Sequence, residues 1–306
     1  EIGLKVTTYA VVMLAALLGN SLVIFIVFRN QRMRTTTNFY LVNLAVADLL
    51  VTLMCSWVHL VDSLTENWVL GAFFCRANSF AQVLALVSSI LTLTLIACDR
   101  FFGIMFAMRA HLTERRASCC LVVVWVCAAG VAAPLLFFRS EHHRVWLDFL
   151  EVWCNDDWPS TVQTDMEGRI VGYEYQSKTI YYTFVCVVLF FVPILVMATA
   201  YGLIIRKLWS TSLPGEHIES GKAVQDKTKK KVAAMLIVLL CIFVLCWLPL
   251  QCVILYAEYR SPHTTVSISI RIQNYYIIYF STFIAYSNSA LNPLIYAGFN
   301  ENFRRG

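Results

Sequence analysis

The sequence predicts an all-α membrane protein, a seven-transmembrane helix bundle with a short amphipathic C-terminal helix. Three observations predict it. First, the chain of 306 residues is 59% hydrophobic and 14% charged, whereas soluble domains average about 45–50% and about 25%; its mean hydropathy is +0.66. Second, the apolar excess is gathered into seven runs, at about 4–28, 36–62, 73–104, 114–138, 176–208, 227–257 and 270–297. Each is at or above the roughly 20 residues that a helix needs to cross a bilayer. Third, the connections alternate in charge from one side to the other. No barrel-type alternation appears, and a backbone in lipid must satisfy its polar groups within helices. Residues 1–306 are read as one domain.

The elements follow in order. Span one carries Gly19-Asn20. Span two sets Asp48 among leucines and valines, and a carboxylate at that depth costs about 2.5–3.5 kcal/mol even on lenient scales, so it implies function with a polar partner. Asn20, Ser89, Asn288, Ser289 and Asn292 are the candidates; the alternative is a protonated Asp48 that only glues helices together. Asn288 and Asn292 share one face of span seven. Span three reads as one helix from Cys75 to Arg100, with Gln82 near its outer end, Ser88, Ser89, Thr92 and Thr94 in its middle, and the pair Asp99-Arg100 at its inner end. At 1.5 Å per residue its ends lie about 37 Å apart, beyond the about 30 Å of a hydrocarbon core. One helix therefore joins an outer pocket to an inner surface. Pro134, Pro193, Pro249 and Pro293 fall in or near the ends of later spans, where proline kinks a helix and frees carbonyls. Such helices have two packings available, which a switch requires.

The connections set the orientation. Those after spans one, three and five, and the tail, hold Arg29, Arg32, Arg34, Arg109, Arg115, Arg116, the Lys227–Lys231 run, Arg304 and Arg305. That side is read as cytoplasmic, with the N-terminus outside; the lysine run can contact anionic lipid or a cytosolic partner. The opposite loops carry more acids than bases, among them Asp62, Glu66, Asp156, Asp157 and Glu258. They are either ordinary solvated loops or a vestibule that steers a cationic ligand inward. The longest outer connection, 139–175, holds Trp153-Cys154-Asn155-Asp156-Asp157-Trp158-Pro159. It reads as an amphipathic lid or as an interfacial aromatic belt. Nine of the eleven cysteines sit in apolar runs, where cysteine packs as a small hydrophobe; Cys75 and Cys154 remain as a candidate pair. No cleavable signal is visible, and a tail preceding Glu1 is expected.

Several function classes are set aside. The six histidines are scattered, and no metal-ligand spacing, phosphate loop or nucleophile–base arrangement appears, so the chain is not read as an enzyme and has no catalytic residues or cofactor. Nothing points to nucleic acid. No internal repeat of the kind transporters show is visible.

On these residues the chain resembles the rhodopsin-like (class A) G-protein-coupled receptors along essentially its whole length. The marks are Gly19-Asn20, Asn43 to Asp48, Cys75, Asp99-Arg100-Phe101, Trp125, Pro193, Tyr201, Phe243, Cys246-Trp247-Leu248-Pro249 and Asn292 to Tyr296. Within that family it looks like the neuropeptide branch that contains the orexin, allatotropin and neuropeptide-FF (RFamide) receptors. Met33 to Asn38 and Arg206-Lys207-Leu208-Trp209 resemble the orexin group, while Trp153 to Pro159 and Asn300 to Gly306 resemble the RFamide group. Thr65-Glu66-Asn67-Trp68 and Gln82 fit the branch as a whole.

The resemblance implies roles. Cys75 and Cys154 would form a disulfide tying the lid to span three. Arg100 would pair with Asp99 at rest and meet a heterotrimeric G protein when active, with Tyr201 and Tyr296 swinging in behind it. Trp247, with Ile90, Pro193, Phe243 and the Pro249 kink, would be the connector that repacks; Asn292 and Pro293 belong to the same inner switch. Asp48, Ser89, Asn288 and Asn292 would hold an allosteric sodium ion. Lys229 stands where many relatives carry an acid that locks Arg100, so appreciable basal signalling is expected. Gln82 replaces the acid that small-amine receptors need, and residues 270–297 lack the lysine that an opsin needs. The amide of Gln82 suits a peptide backbone or C-terminal amide. Val58, Val83, Asp156, Tyr181, Phe190, Gln251, Ile254, Glu258, Thr282 and Tyr286 are placed around it, with Glu66 at the rim and Glu258 facing a basic ligand side chain. The expected partners are an extracellular, amidated neuropeptide, a Gq-type G protein, arrestin, a receptor kinase and membrane lipid, at the plasma membrane. A lipid or other non-peptide ligand is the alternative.

Overall fold

The computed structural model describes residues 2–65, 67–106, 114–164, 169–210, 220–260 and 268–299. Helix α1 spans Ile2–Arg29, and α2 spans Thr36–Leu64 with a π-helical turn at Thr52–Ser56. Helix α3 is Gly71–Met105, and α4 is Glu114–Ala132, resuming as Pro134–Phe138. Helix α5 runs from Gln176–Thr183 through a π-helical segment, Phe184–Phe191, into Val192–Ser210. Helix α6 is Ser220–Tyr259 and α7 is Ile268–Phe299. The seven expected spans thus coincide with seven helices. The expected C-terminal amphipathic helix and the rim residue Glu66 lie outside the described residues.

Six of these helices are apolar and long enough to cross a bilayer by length and composition. The seventh, α7, has 32 residues, more than the roughly 20 needed. It is less apolar because its inward side carries Ser281, Thr282, Asn288, Ser289 and Asn292, all buried. It packs against α6, α1 and α2, which hide these groups from lipid.

Helix α3 is the axis of the bundle. Of its most apolar stretch 61% is buried, against 22% for α4, and it packs against α2, α4 and α5. Local chemistry starts the helices. The Thr35 hydroxyl caps α2 by accepting from the Asn38 amide at 3.3 Å, satisfying one of the free N–H groups of a first turn. Gly71 opens α3 at φ +75°, a conformation that glycine adopts without a Cβ penalty. Gly19 lets α1 lie directly on Pro293: a Cβ there would sit 2.8 Å from two carbons of the proline ring. The two π-helical segments each shift the helical register. One turns the outer third of α2; the other precedes Pro193 in α5.

The outer connection after α4 is not a plain loop. It forms two antiparallel hairpins, β1 (Arg139–Trp146) with β2 (Phe149–Asp156), and β3 (Thr161–Thr164) with β4 (Ile170–Glu174). The first hairpin pairs Arg139 with Asp156 and closes at Trp146 with Phe149. Its turn holds Leu147 at φ 41° and fully exposed. The bonds that fix this hairpin come from the connection between α2 and α3. Asn67 Nδ2 donates to the Leu150 carbonyl at 3.0 Å, its Oδ1 accepts from the Val152 amide at 3.1 Å, and the Trp68 amide donates to the Val152 carbonyl at 2.8 Å. A disulfide, Cys75–Cys154, ties β2 to α3 across 79 residues of sequence. Val58, Trp68 and Cys75 form a small apolar cluster beneath it.

Candidate functional site: an outer cavity and an inner charged end

Under the hairpin, α2, α3 and α7 enclose a cavity of about 280 Å³. Gln82 and Tyr286 meet in it, the Tyr286 hydroxyl donating to Gln82 Oε1 at 3.1 Å. Thr282 lines it too. These three were expected around a ligand. The wall also contains His59, Asp62, Ser63, Asn78, Arg139, Tyr275, Ile278 and Tyr279, which sequence reasoning missed as ligand contacts. The α7 part had a visible signal: Tyr275, Ile278, Tyr279, Thr282 and Tyr286 are spaced i, i+3, i+4, i+7 and i+11, one helical face. His59 and Asp62 depend on the π-helical turn of α2, which carries no such signal. His59 shares a hydrogen bond with the Tyr9 hydroxyl and stacks on Tyr279, centroids 5.5 Å apart.

The other expected contacts sit around, rather than in, this cavity wall. Val58 packs in the cluster under the disulfide. Phe190 is fully buried in the main core, and Ile254 packs against that core. Gln251 is buried and accepts from the Cys186 thiol at 2.9 Å. Tyr181 donates to the Val131 carbonyl of α4 at 3.0 Å and contacts Trp158. Val83 is half-buried on α3, outside the lining. Trp158 itself is buried and stacks on Phe138 at 4.5 Å, so it is a packing residue rather than part of an interfacial belt. Trp153 stacks on His142 at 5.7 Å beneath the Arg144 guanidinium.

Asp156 and Glu258 belong to a chain of charges. Arg139 lies 3.1 Å from Asp156, and Lys178 lies 3.4 Å from Asp156 and 3.0 Å from Glu258. The expected ligand acids therefore have partners within the protein.

At mid-bundle, Asp48 is buried and accepts from Asn292 Nδ2 at 2.8 Å. Asn20 turns to backbone instead, donating to the Ala16 and Ser289 carbonyls at 2.8 Å. Asn43 donates to the Thr92 hydroxyl at 2.8 Å and accepts from Trp125 Nε1 at 2.7 Å, joining α2, α3 and α4. Ser89 and Asn288 are buried on α3 and α7, and Asn288 Oδ1 has no hydrogen-bond partner among the described residues. Carboxylate, hydroxyl and amide oxygens are the donor types that hard cations take. In the connector, Phe243 lies 6.2 Å from both Trp247 and Phe190, and Ile90 is fully buried. At the inner end Arg100 donates to Asp99 through Nε at 3.0 Å and through Nη2. Tyr201 and Tyr296 are buried. Helix α6 carries no acid from 228 to 257.

A seven-helix membrane bundle with a disulfide-tethered lid over an outer cavity, and an acid–arginine pair at the other end of its axial helix, is the architecture of a seven-transmembrane receptor. The chain belongs to the 7 transmembrane receptor (rhodopsin family), whose pattern it matches over residues 19–296. It is thus a G-protein-coupled receptor and not an enzyme. Among its relatives, a QRFP-like peptide receptor of Branchiostoma floridae is 35% identical over 97% of this chain and 74% of that protein. Neuropeptide FF receptor 2 of Mus musculus is 31% identical over 98% of this chain and 70% of its own length. The pyroglutamylated RF-amide peptide receptor of Rattus norvegicus is 32% identical over 97% and 67%. The RFamide side of the expected branch is thereby supported.

Proposed function

We propose that the protein is a plasma-membrane receptor, N-terminus outside, for an extracellular amidated peptide of the RF-amide type, which it reports to a heterotrimeric G protein. The observation that carries this reading is the Gln82–Tyr286 pair in the cavity wall. An amide held by a phenol in a cavity rich in tyrosine offers donors and acceptors to a carboxamide terminus and ring faces to an aromatic residue. The names of its relatives point the same way. Residues 1–306 act as one receptor domain. Val58, Val83, Tyr181, Phe190, Gln251 and Ile254 shape the site from its surroundings, while Gln82, Thr282 and Tyr286 touch the ligand.

Binding at the outer end shifts the bundle toward a packing that opens the cytoplasmic side, by no more than the ligand's differential affinity for the two states. Trp247, Phe243 and the kinks at Pro249 and Pro293 carry the repacking, and Arg100 leaves Asp99 to meet the G protein with Tyr201 and Tyr296 behind it. Asp48, Ser89, Asn288 and Asn292 would hold sodium, whose charge would favour the ionised carboxylate; the orphan oxygen of Asn288 supports the assignment. Gq-type coupling, arrestin and a receptor kinase follow from the family resemblance. A calcium-release screen of amidated peptides on cells expressing the receptor tests the reading. Peptides ending in Arg-Phe-amide are expected to act and their free-acid forms to be much weaker; activity of a lipid panel with silence of every amidated peptide would contradict it.

A further inference from the structure

The acids that the lid and α6 present toward the outer vestibule already hold a cation of the protein's own. Lys178 Nζ lies 3.0 Å from Glu258 Oε1 and 3.4 Å from Asp156 Oδ2. The remaining carboxylate oxygens are also engaged. Arg139 Nη1 donates to Asp156 Oδ1 at 3.1 Å, the Tyr182 hydroxyl reaches both Asp156 oxygens at 3.1 and 3.3 Å, and Thr179 donates to Glu258 Oε2 at 3.4 Å. The chain Arg139–Asp156–Lys178–Glu258 therefore joins both strands of the first hairpin to the outer ends of α5 and α6. It contains two cations and two anions. An incoming cation meets a neutral cluster unless one resident cation gives way.

Lys178 is the member built to give way. Its side chain is 26% exposed, against 21% for Arg139, 11% for Asp156 and 9% for Glu258, so the distinction between the two cations rests on their chemistry. Lys178 is a point charge on a flexible four-carbon stem, whereas a guanidinium presents a rigid fork that bridges carboxylates bidentately. Arg139 is fixed in place: Arg76 Nε donates to its carbonyl at 3.0 Å, and its side chain forms part of the cavity wall. The same residue that lines the cavity thus touches the charge chain, and a ligand occupying one adjoins the other.

We propose that Lys178 is a tethered stand-in for the ligand's cationic side chain, occupying Asp156 and Glu258 at rest and exchanging with a guanidinium of the bound peptide. This rests on the peptide reading above and adds to it a competitor within the protein. The exchange removes one tie between the outer ends of α5 and α6, leaving the Thr179–Glu258 bond of 3.4 Å and the Thr183–Tyr259 bond of 2.8 Å between them. Helix α6 carries Trp247 and Pro249 further down, so losing that tie is transmitted toward the connector.

The test is a cycle of two ligands and three receptors, read by saturation binding on membranes from cells expressing the full chain. The probes are a labelled peptide ending in Arg-Phe-amide and its analogue with citrulline, the neutral isostere, in place of arginine. In Lys178→Gln the arginine peptide is expected to bind about tenfold tighter, since a close interfacial charge pair gains its coupling without competition, while the citrulline analogue is unchanged. Lys178→Arg keeps the competing charge and returns affinity toward the wild type. If Lys178→Gln does not reach the surface, Lys178→Met removes the same charge in the same cycle. Equal shifts for both peptides, or no shift for either, would overturn the exchange and leave Lys178 a strut. Failure of both peptides to bind any of the receptors would overturn the amidated-peptide reading, and the exchange with it.

Discussion

Replacing Gly19 with alanine forces α1 away from α7. The new Cβ would lie 2.8 Å from Cβ and Cγ of Pro293, whereas carbon atoms sit at about 3.5–4.0 Å at best contact. The overlap is therefore of order 1 Å. A proline ring has no rotamer through which to escape, and both atoms belong to long helices, so the helices themselves must separate. Overpacking of this kind costs about 1–3 kcal/mol. It also lengthens the adjoining Asn20–Ser289 contact, now 2.8 Å, beside the Asn292–Asp48 bond of 2.8 Å. Thermal unfolding of the purified receptor in one detergent, at one scan rate, reads the effect. The midpoint falls by several degrees, at roughly 2–4 °C per kcal/mol for large domains. Gly130→Ala is the control. A Cβ added to that glycine, which sits in α4, would meet nothing within 4 Å, so alanine is neutral or stabilises by about 0.5–1 kcal/mol. A Gly19→Ala receptor as stable as the wild type would refute the close α1–α7 contact.

Other perturbations follow from the same geometry. Asn67→Ala removes two bonds to β2, together worth about 1–3 kcal/mol, and amide exchange at Val152 should accelerate; unchanged protection there would contradict the clamp. Trp125→Phe leaves Asn43 Oδ1 without its donor, a buried loss of about 1–3 kcal/mol that a lower melting midpoint would register. Reducing or removing Cys75–Cys154, a crosslink typically worth about 2–4 kcal/mol, should weaken both stability and peptide binding, and intact binding after reduction would argue against a lid. Asp99→Asn frees Arg100 from its ion pair, and ligand-independent nucleotide exchange should rise above a wild-type level that is itself measurable.

The seven spans were legible because a bilayer leaves one solution for a long apolar run, and the order of motifs then fixed the family. Asp48 was legible for a similar reason, since a carboxylate in that setting requires a partner, and Asn292 supplies it. The lid was read only as a lid. Its first hairpin turns through Leu147-Asp148, with Leu147 at positive φ, where the usual hairpin signal is Asn-Gly or Gly. Its bonding partner is Asn67, more than 80 residues earlier, and no local pattern announces that. Glu258 was recognised as an acid facing the vestibule, but its pairing with Lys178 crosses 80 positions of sequence and depends on how α5 and α6 lean together. The π-helical turns were invisible because a single added residue per turn leaves the apolar run unbroken. The one in α2 precedes His59 and Asp62, which line the cavity. The α7 stripe from Tyr275 to Tyr286 was readable from its spacing, and its polar inner positions explain why that helix is less apolar than the other six.

Signalling of this kind requires a ligand outside to change how the inner end is packed, without being carried across or chemically altered. The direct measurement uses purified receptor in lipid discs with heterotrimeric G protein, following nucleotide exchange on Gα as an Arg-Phe-amide peptide is added. Faster exchange that saturates with peptide, with the peptide recovered intact, is the predicted result. Saturable peptide binding with no acceleration of exchange on any Gα would contradict it.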